Sequence, residues 1–162
     1  MAEKEKDKEC LEKLKEEYEK VRKKYSLPAF DEIDNELEIR KIDYDMHLIK
    51  EIRRLVIHKF SGFADLFEPI LNPGHGLHSA VESKIFEKNE VEEIFAFYKK
   101  LWHYVHKGIA ISLLTEKDEA EYIKEMWKLL PEMKNKTHKY AQKIADGWAK
   151  EEKEKANDHY LS

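Results

Sequence analysis

Hydrophobic residues recur every three or four positions over most of the chain, which is the spacing of one face of an α-helix. The strongest pattern lies between residues 90 and 114. Its broad apolar stripe consists of Val91, Ile94, Phe95, Tyr98, Leu101, Trp102, Val105 and Ile109. Phe97, Tyr104 and Ile111 form a second ridge beside it, so this helix is predicted to contact neighbours on two sides. We therefore predict an all-α fold, a compact bundle of about five to seven helices around a central helix near residues 90–114.

A charged N-terminal helix is predicted at about residues 3–25, which lack glycine and proline and are rich in helix-forming residues. Its apolar seam is narrow and follows alternating steps of three and four, the spacing of a coiled-coil contact. The seam residues are Leu11, Leu14, Tyr18, Val21 and Tyr25. Two alternatives stay open: the seam packs on the chain's own bundle, or it binds a second copy or another protein.

Glycine and proline predict where the middle of the chain changes direction. Ser61-Gly62 lies inside a helical pattern that runs from Asp45 to Leu71, and predicts a kink or a break. Asn72-Pro73-Gly74 predicts a turn, which separates this pattern from a short helix over residues 77–86.

The C-terminal third is predicted to hold two further helices within a single domain of residues 1–162. Thr115 and Asp118 have the spacing of an N-terminal helix cap, and Pro131 predicts a bend between that helix and the last one. The apolar stripe ends near residue 150, so residues 150–162 are predicted to be a solvated tail.

Charge and cysteine content narrow the functional class. Charged residues make up 40% of the chain, mostly Lys and Glu, a balance also typical of proteins from hot environments. The net charge of −4 comes from interspersed signs and gives no general affinity for membranes or nucleic acid. Cys10 is the only cysteine, which excludes an intrachain disulfide and a thiolate metal cluster. No signal-peptide core or membrane-spanning run occurs, so we expect a cytoplasmic location.

Lysines near the C-terminus offer a possible binding surface for nucleic acid or another anion. They are Lys128, Lys134, Lys136, Lys139, Lys143 and Lys150. Such lysines could neutralise phosphates, and Trp127, Tyr140 or Trp148 could stack on bases if exposed. All three rings lie on apolar stripes, however, and arginine is scarce. Nucleic-acid binding is therefore the alternative and not the preferred function, since a solvated basic face explains the same lysines.

The candidate metal ligands are four histidines and one glutamate. The set is His75, His78, Glu82, His103 and His106, which could converge if the short helix packed antiparallel on the central one. The helical wheel places His103 in the polar arc and His106 at its edge, whereas metal sites in bundles use inward-facing ligands. A metal-dependent enzyme is therefore a second alternative, and ordinary surface histidines are the simpler interpretation.

No spacing in the chain is typical of a catalytic group or of a phosphate-binding loop. We therefore expect no catalytic residue and no cofactor. The preferred interpretation is a helical protein that acts through self-association, as a homodimer for example, or through binding another protein.

One segment resembles known proteins. The sequence LPAFDEIDNELEI, residues 27–39, is similar to the start of an uncharacterised family of small archaeal helical proteins. The likeness implies an all-helical fold, and it assigns no function and no site residue.

Overall fold

A computed structural model of the protein describes residues 2–42, 47–74 and 76–159. These ranges are helical and contain no strand, which confirms the predicted all-α bundle. The α-helices in the described ranges are α1 (Ala2–Tyr25), α2 (Phe30–Leu37), α3 (Leu48–Asp65), α4 (Glu68–Leu71), α5 (Leu77–Glu82), α6 (Lys88–Ile111) and α7 (Glu116–His159). A single 3₁₀ turn, Ile39–Lys41, follows α2. Helix α1 is the predicted charged helix, and α6 is the predicted central helix.

The fold divides into two units by the contacts that its residues make. Unit 1 contains Met1–Phe60 and Tyr104–Leu129, and unit 2 contains Ser61–His103 and Leu130–Ser162. Helices α3, α6 and α7 therefore each supply a segment to both units. That residues 1–162 form a single domain stays a prediction.

In unit 1, the middle of the α1 seam packs on its own chain. Leu14 and Tyr18 are buried. The Tyr18 ring meets the Phe30 ring edge-on at a centroid distance of 5.6 Å, and its hydroxyl donates to the Pro28 carbonyl at 2.8 Å. The half-buried seam residues are Leu11, Val21 and Tyr25. This unit therefore already uses the centre of the seam for its own core.

A buried carboxylate fastens α2 to the turn that follows it. Asp34 is 2% exposed and accepts hydrogen bonds from the Arg40 amide at 2.9 Å and from Arg40 Nε at 2.6 Å. Burial acts to raise the pKa of Asp34, but the bonds from Arg40 outweigh burial and hold the pKa below its ordinary value. The resulting stabilisation is complete above the pKa of an unfolded aspartate, about 4, and is lost as the pH falls through the lower folded pKa.

Replacing Asp34 with asparagine is expected to destabilise the protein at neutral pH by about 1–3 kcal/mol, because the charged acceptor for Arg40 is lost. The difference from wild type should shrink as the pH falls below about 4, because the wild-type carboxylate takes up its proton at its lowered pKa. Urea unfolding of both proteins at neutral pH and in acid measures the difference in the free energy of unfolding. The control is Asp31→Asn, because Asp31 lies on the same helix with an exposed side chain. A difference that persisted unchanged in acid would contradict this account.

Helices α3, α6 and α7 meet in unit 1 around a buried arginine. Arg53 is 4% exposed, and its Nε donates to Glu119 Oε1 at 3.1 Å. Its Nη1 donates to the Gly108 carbonyl at 3.0 Å. That carbonyl belongs to the last turn of α6, where helical donors are absent. Arg53 therefore caps α6 while forming an ion pair with α7.

The same junction requires glycine at position 108. A Cβ atom there would lie 2.6 Å from Tyr122 Cζ and 2.8 Å from Ile57 Cγ1. Tyr122 is buried, and its hydroxyl donates to the Tyr104 carbonyl at 3.0 Å. The aromatic ring is therefore held in place from both ends, and the absent side chain lets the three helices approach.

In unit 2, the core is built around aromatic rings. Phe67 meets Phe97 at 5.6 Å and Tyr140 at 5.7 Å, in both cases edge to face. Phe86 meets Tyr140 at 6.0 Å in the same manner. These contacts join α6 and α7 to the connection after α3 and to the segment after α5.

The prediction of two helices separated by Pro131 is wrong. Helix α7 runs without interruption from Glu116 to His159 and contains Pro131 in its interior. Leu130 and Met133 are both buried, so packing on either side of the proline compensates for the lost helical hydrogen bond. The predicted N-terminal cap is confirmed, since the Thr115 amide donates to Asp118 Oδ2 at 3.1 Å and the Asp118 amide donates to Thr115 Oγ1 at 3.3 Å.

The prediction of a kink or break at Ser61-Gly62 is also wrong, because the chain breaks at a later position. Helix α3 continues through both residues and ends at Asp65. Gly62 is exposed, and no atom lies within 4 Å of a Cβ placed on it. Ordinary helical geometry therefore causes no steric conflict at this position. The chain breaks further on instead, and Pro69 occupies the first turn of α4, where its missing amide hydrogen is not needed.

Candidate interaction surface

Helix α6 buries only part of the apolar surface that its sequence predicts to be buried. Ile94, Phe97, Leu101 and Val105 are 3% exposed or less. By contrast, Phe95 is 48% exposed and Ile109 is 50% exposed. The buried line therefore takes three of the eight residues of the predicted stripe together with Phe97 from the second ridge. The prediction that Phe95 and Ile109 face a neighbour within the chain is wrong.

The uncovered apolar residues of α6 in unit 2 form a line of their own, which we call the outer stripe. It consists of Val91, Phe95, Tyr98 and Trp102, spaced by steps of four, three and four. Val91, Tyr98 and Trp102 are half-buried, so the stripe is flanked but not covered by its own chain. This spacing is that of a helix contact in a coiled coil.

A shallow groove runs along the outer stripe. Its volume is about 350 Å³, and it is lined by Leu71, Asn72, Val91, Glu92, Phe95 and Tyr98. The Tyr98 hydroxyl donates a hydrogen bond to Glu68 Oε2 at 2.6 Å, which orients the ring. This hydrogen bond raises the pKa of Tyr98. The Tyr98 and Trp102 rings meet edge to face at 6.2 Å. Two of the stripe's rings are therefore held in fixed orientations.

Two opposite charges border the outer stripe on the same side of the helix. Glu92 and Lys99 are seven residues apart, which is two helical turns, and both are exposed. Lys99 Nζ lies 4.6 Å from the centre of the Phe95 ring, so its side chain follows the edge of the stripe. An apolar centre with charged edges is typical of a protein-binding surface.

The candidate metal ligands have other contacts. Glu82 is buried and accepts a hydrogen bond from Trp148 Nε1 at 3.0 Å, and His78 Nε2 lies 3.3 Å from the same oxygen. His103 and His106 are exposed, as the helical wheel predicts. His75 lies outside the described residues. Within the described ranges, no three His, Cys, Asp or Glu side chains are grouped as a metal ion requires.

The candidate anion-binding lysines do not all belong to one unit, since Lys128 is in unit 1 and the other five are in unit 2. Three of them lie over aromatic rings of their own chain: Lys136 over Phe97, Lys139 over Tyr140 and Lys143 over Phe86. Lys143 also pairs with Glu90 at 2.5 Å. Lys134 is exposed, and Lys150 borders a groove floored by Val81, Ile85 and Gly147.

Of the three rings considered for base stacking, Tyr140 is buried and Trp148 is bonded to Glu82. Trp127 is half-buried and lies in a groove beside Lys128. Trp148 is half-buried as well, but its indole donates to Glu82 and lies 5.4 Å from the His78 ring. Trp127 therefore remains the candidate for stacking.

Comparison of the chain with models of known protein families, with curated proteins and with solved structures finds no match. No described helix combines the length and the apolarity needed to cross a membrane.

Sequence reasoning did not separate the outer stripe from the buried line of α6. Both lines have helical spacing, and together they occupy more than one face. The signal that distinguishes them is Gly108, which continues the buried line of Leu101 and Val105. A glycine at this spacing indicates the side on which helices approach closely.

Proposed function

We propose that this protein is a non-catalytic helical protein that acts by self-association, and that the outer stripe of α6 is its contact surface. The observation that carries the proposal is Phe95, a large aromatic residue that is 48% exposed at the centre of an apolar groove. Aromatic anchors of this kind contribute most of the binding free energy at protein interfaces. The proposal involves no cofactor, and a cytoplasmic location fits the exposed thiol of Cys10.

A second copy is the partner that the charges favour. If two outer stripes pack antiparallel across a twofold axis midway between Phe95 and Tyr98, Glu92 of each copy faces Lys99 of the other. The same arrangement brings Phe95 opposite Tyr98 and Val91 opposite Trp102. Each of these pairs across the contact combines a smaller side chain with a larger one. A parallel arrangement would not bring Glu92 of one copy next to Lys99 of the other. The surface is therefore self-complementary in one orientation.

The association is expected to be weak. A stripe of four residues buries less than the roughly 800 Å² per partner of a stable complex. Because binding also restricts the motion of both molecules, we expect a dissociation constant on the order of 10 µM. A reversible dimer of this kind responds to protein concentration, so its population would change with the amount of protein present.

Replacing Phe95 with glutamate is expected to abolish dimerisation, because it places a charge at the centre of the apolar contact. Sedimentation velocity over a concentration range that spans about 1 to 500 µM measures the equilibrium. Leu77→Glu is the matched control, since Leu77 belongs to the same unit, is 78% exposed and does not line the groove. A wild-type protein that stayed monomeric throughout this range would overturn the proposal.

The orientation is tested by the same measurement on charge-reversal variants. Glu92→Lys and Lys99→Glu should each weaken the dimer, whereas the double variant should restore it, because opposite charges face each other again. Two single variants that dimerised as well as wild type would contradict the antiparallel arrangement.

A further inference from the structure

A second uncovered groove lies in unit 1. It lies between the turn after α1, helix α2 and helix α7, and its volume is about 260 Å³. Its lining residues are Ser26, Leu27, Pro28, Glu32, Lys124, Trp127 and Lys128. An indole, two ammonium groups, a carboxylate and a hydroxyl therefore border one small space.

Trp127 provides a flat apolar surface in this groove. Its side chain is half-buried, and its ring makes no aromatic contact with any described residue. Tyr18 and Tyr122 of the same unit are, by contrast, buried and hydrogen-bonded to backbone carbonyls. An indole whose face is partly accessible can stack on a planar ring, and nucleic-acid bases stack on aromatic residues regardless of their sequence.

Lys128 provides a positive charge one residue further along α7. It is exposed and forms no ion pair with any described side chain, so its ammonium group can bind a ligand. Lys124 lies one helical turn before Lys128, so both residues line the same side of the groove, and Lys124 also pairs with Glu121 at 2.7 Å. Two ammonium groups beside an indole fit a phosphate attached to a planar ring.

The opposite wall offers polar groups for the remainder of such a ligand. Ser26 has a φ of 56°, in the left-handed region where glycine or asparagine is usual. A serine there adopts a less favourable backbone conformation, and Ser26 lines the groove. Glu32 Oε2 accepts the Ala29 amide at 2.9 Å, which leaves Oε1 to accept a hydrogen bond from a sugar hydroxyl or a base amine.

We propose that this groove binds a nucleoside phosphate, with its base stacked on Trp127, its phosphate at Lys124 and Lys128, and a donor group on Glu32. A simple anion would use the lysines and leave the indole and the carboxylate without a role. A purely apolar ligand would leave the lysines and Glu32 without partners. The shared chemistry of a free nucleotide and of one residue in single-stranded RNA accounts for all of these groups.

The test is titration of the full-length protein, followed by NMR of the tryptophan indole N–H signals. The probes are adenosine monophosphate, an oligoadenylate of about eight nucleotides, and inorganic phosphate. Of the three indole signals, the one that is missing from Trp127→Phe protein should shift on titration, while those of Trp102 and Trp148 stay in place. Calorimetry under the same conditions gives the affinities.

Lys128→Glu and Trp127→Leu should each weaken binding about tenfold. Lys117→Glu is the matched control on the same helix and in the same unit, and it should change binding less than twofold. Circular dichroism verifies that each variant is folded, and Trp127→Phe, which keeps a stacking surface, should lose less affinity than Trp127→Leu.

The probes distinguish the two sources of the ligand. Binding of both adenosine probes supports a free nucleotide, and binding of the oligonucleotide alone supports single-stranded RNA. Equal binding of phosphate and adenosine monophosphate, with no effect of Trp127→Leu, would reveal a plain anion site and overturn the proposal. Absence of binding by all three probes would overturn it as well.

Discussion

Replacing Glu119 with alanine is expected to lower the free energy of unfolding by about 3–5 kcal/mol. Glu119 and Arg53 are both buried, and Glu119 is the carboxylate that pairs with the Arg53 guanidinium. Without it the guanidinium keeps its bond to the Gly108 carbonyl but remains a buried charge with no counter-ion. Urea unfolding followed by circular dichroism measures the loss.

The control for this prediction is Glu121→Ala, two residues further along α7. Glu121 pairs with Lys124 on the same helix, and its side chain is 57% exposed, so its loss should cost less than about 1 kcal/mol. Replacing both members of the buried pair by apolar residues, Arg53→Met with Glu119→Leu, should recover much of the lost stability. A single Glu119→Ala variant as stable as the control would show that Arg53 reaches water, contrary to the structure.

Replacing Gly108 with alanine is expected to destabilise the protein by about 1–3 kcal/mol, although alanine is the better helix former. The new methyl group would lie 2.6 Å from the Tyr122 hydroxyl oxygen and 2.8 Å from Ile57 Cγ1. Tyr122 cannot move away without breaking its hydrogen bond to the Tyr104 carbonyl. Thermal unfolding measures the change, and Gly108→Val should lower the midpoint further.

Gly62→Ala provides the opposite result in the same protein. Gly62 also lies inside a helix, but no atom lies within 4 Å of its would-be Cβ. Alanine there should therefore stabilise the protein by roughly 0.5–1 kcal/mol. If both substitutions stabilised the protein, the close approach of the helices at Gly108 would be refuted.

The helices themselves could be predicted from the sequence because their apolar periodicity is long and regular. The start of α7 could be predicted as well, since Thr115 and Asp118 bond to each other's backbone amides and need no tertiary contact. Pro131 could not be interpreted correctly by the same local reasoning. Its cost to the helix is offset by the burial of Leu130 and Met133, and burial depends on which elements lie nearby.

The candidate surface on α6 could be predicted only in part. The apolar character of Phe95, Tyr98 and Trp102 is evident from the sequence, but their exposure is not. A helix with apolar residues on two sides can pack with either side inward, and the free energies of burial are similar. The close approach at Gly108 decides between them, and its importance depends on Tyr122, which lies in a different helix.

Two buried tyrosines of unit 1 limit the stability of the fold at alkaline pH. Tyr18 and Tyr122 each donate a hydroxyl proton to a peptide carbonyl, at 2.8 and 3.0 Å, and burial raises the pKa of both phenols. An unfolded chain releases those protons near pH 10, whereas the folded chain retains them. At high pH, unfolding therefore releases these two protons, which lowers the free energy of unfolding. The protein stays folded in alkali only while its remaining stability exceeds that decrease.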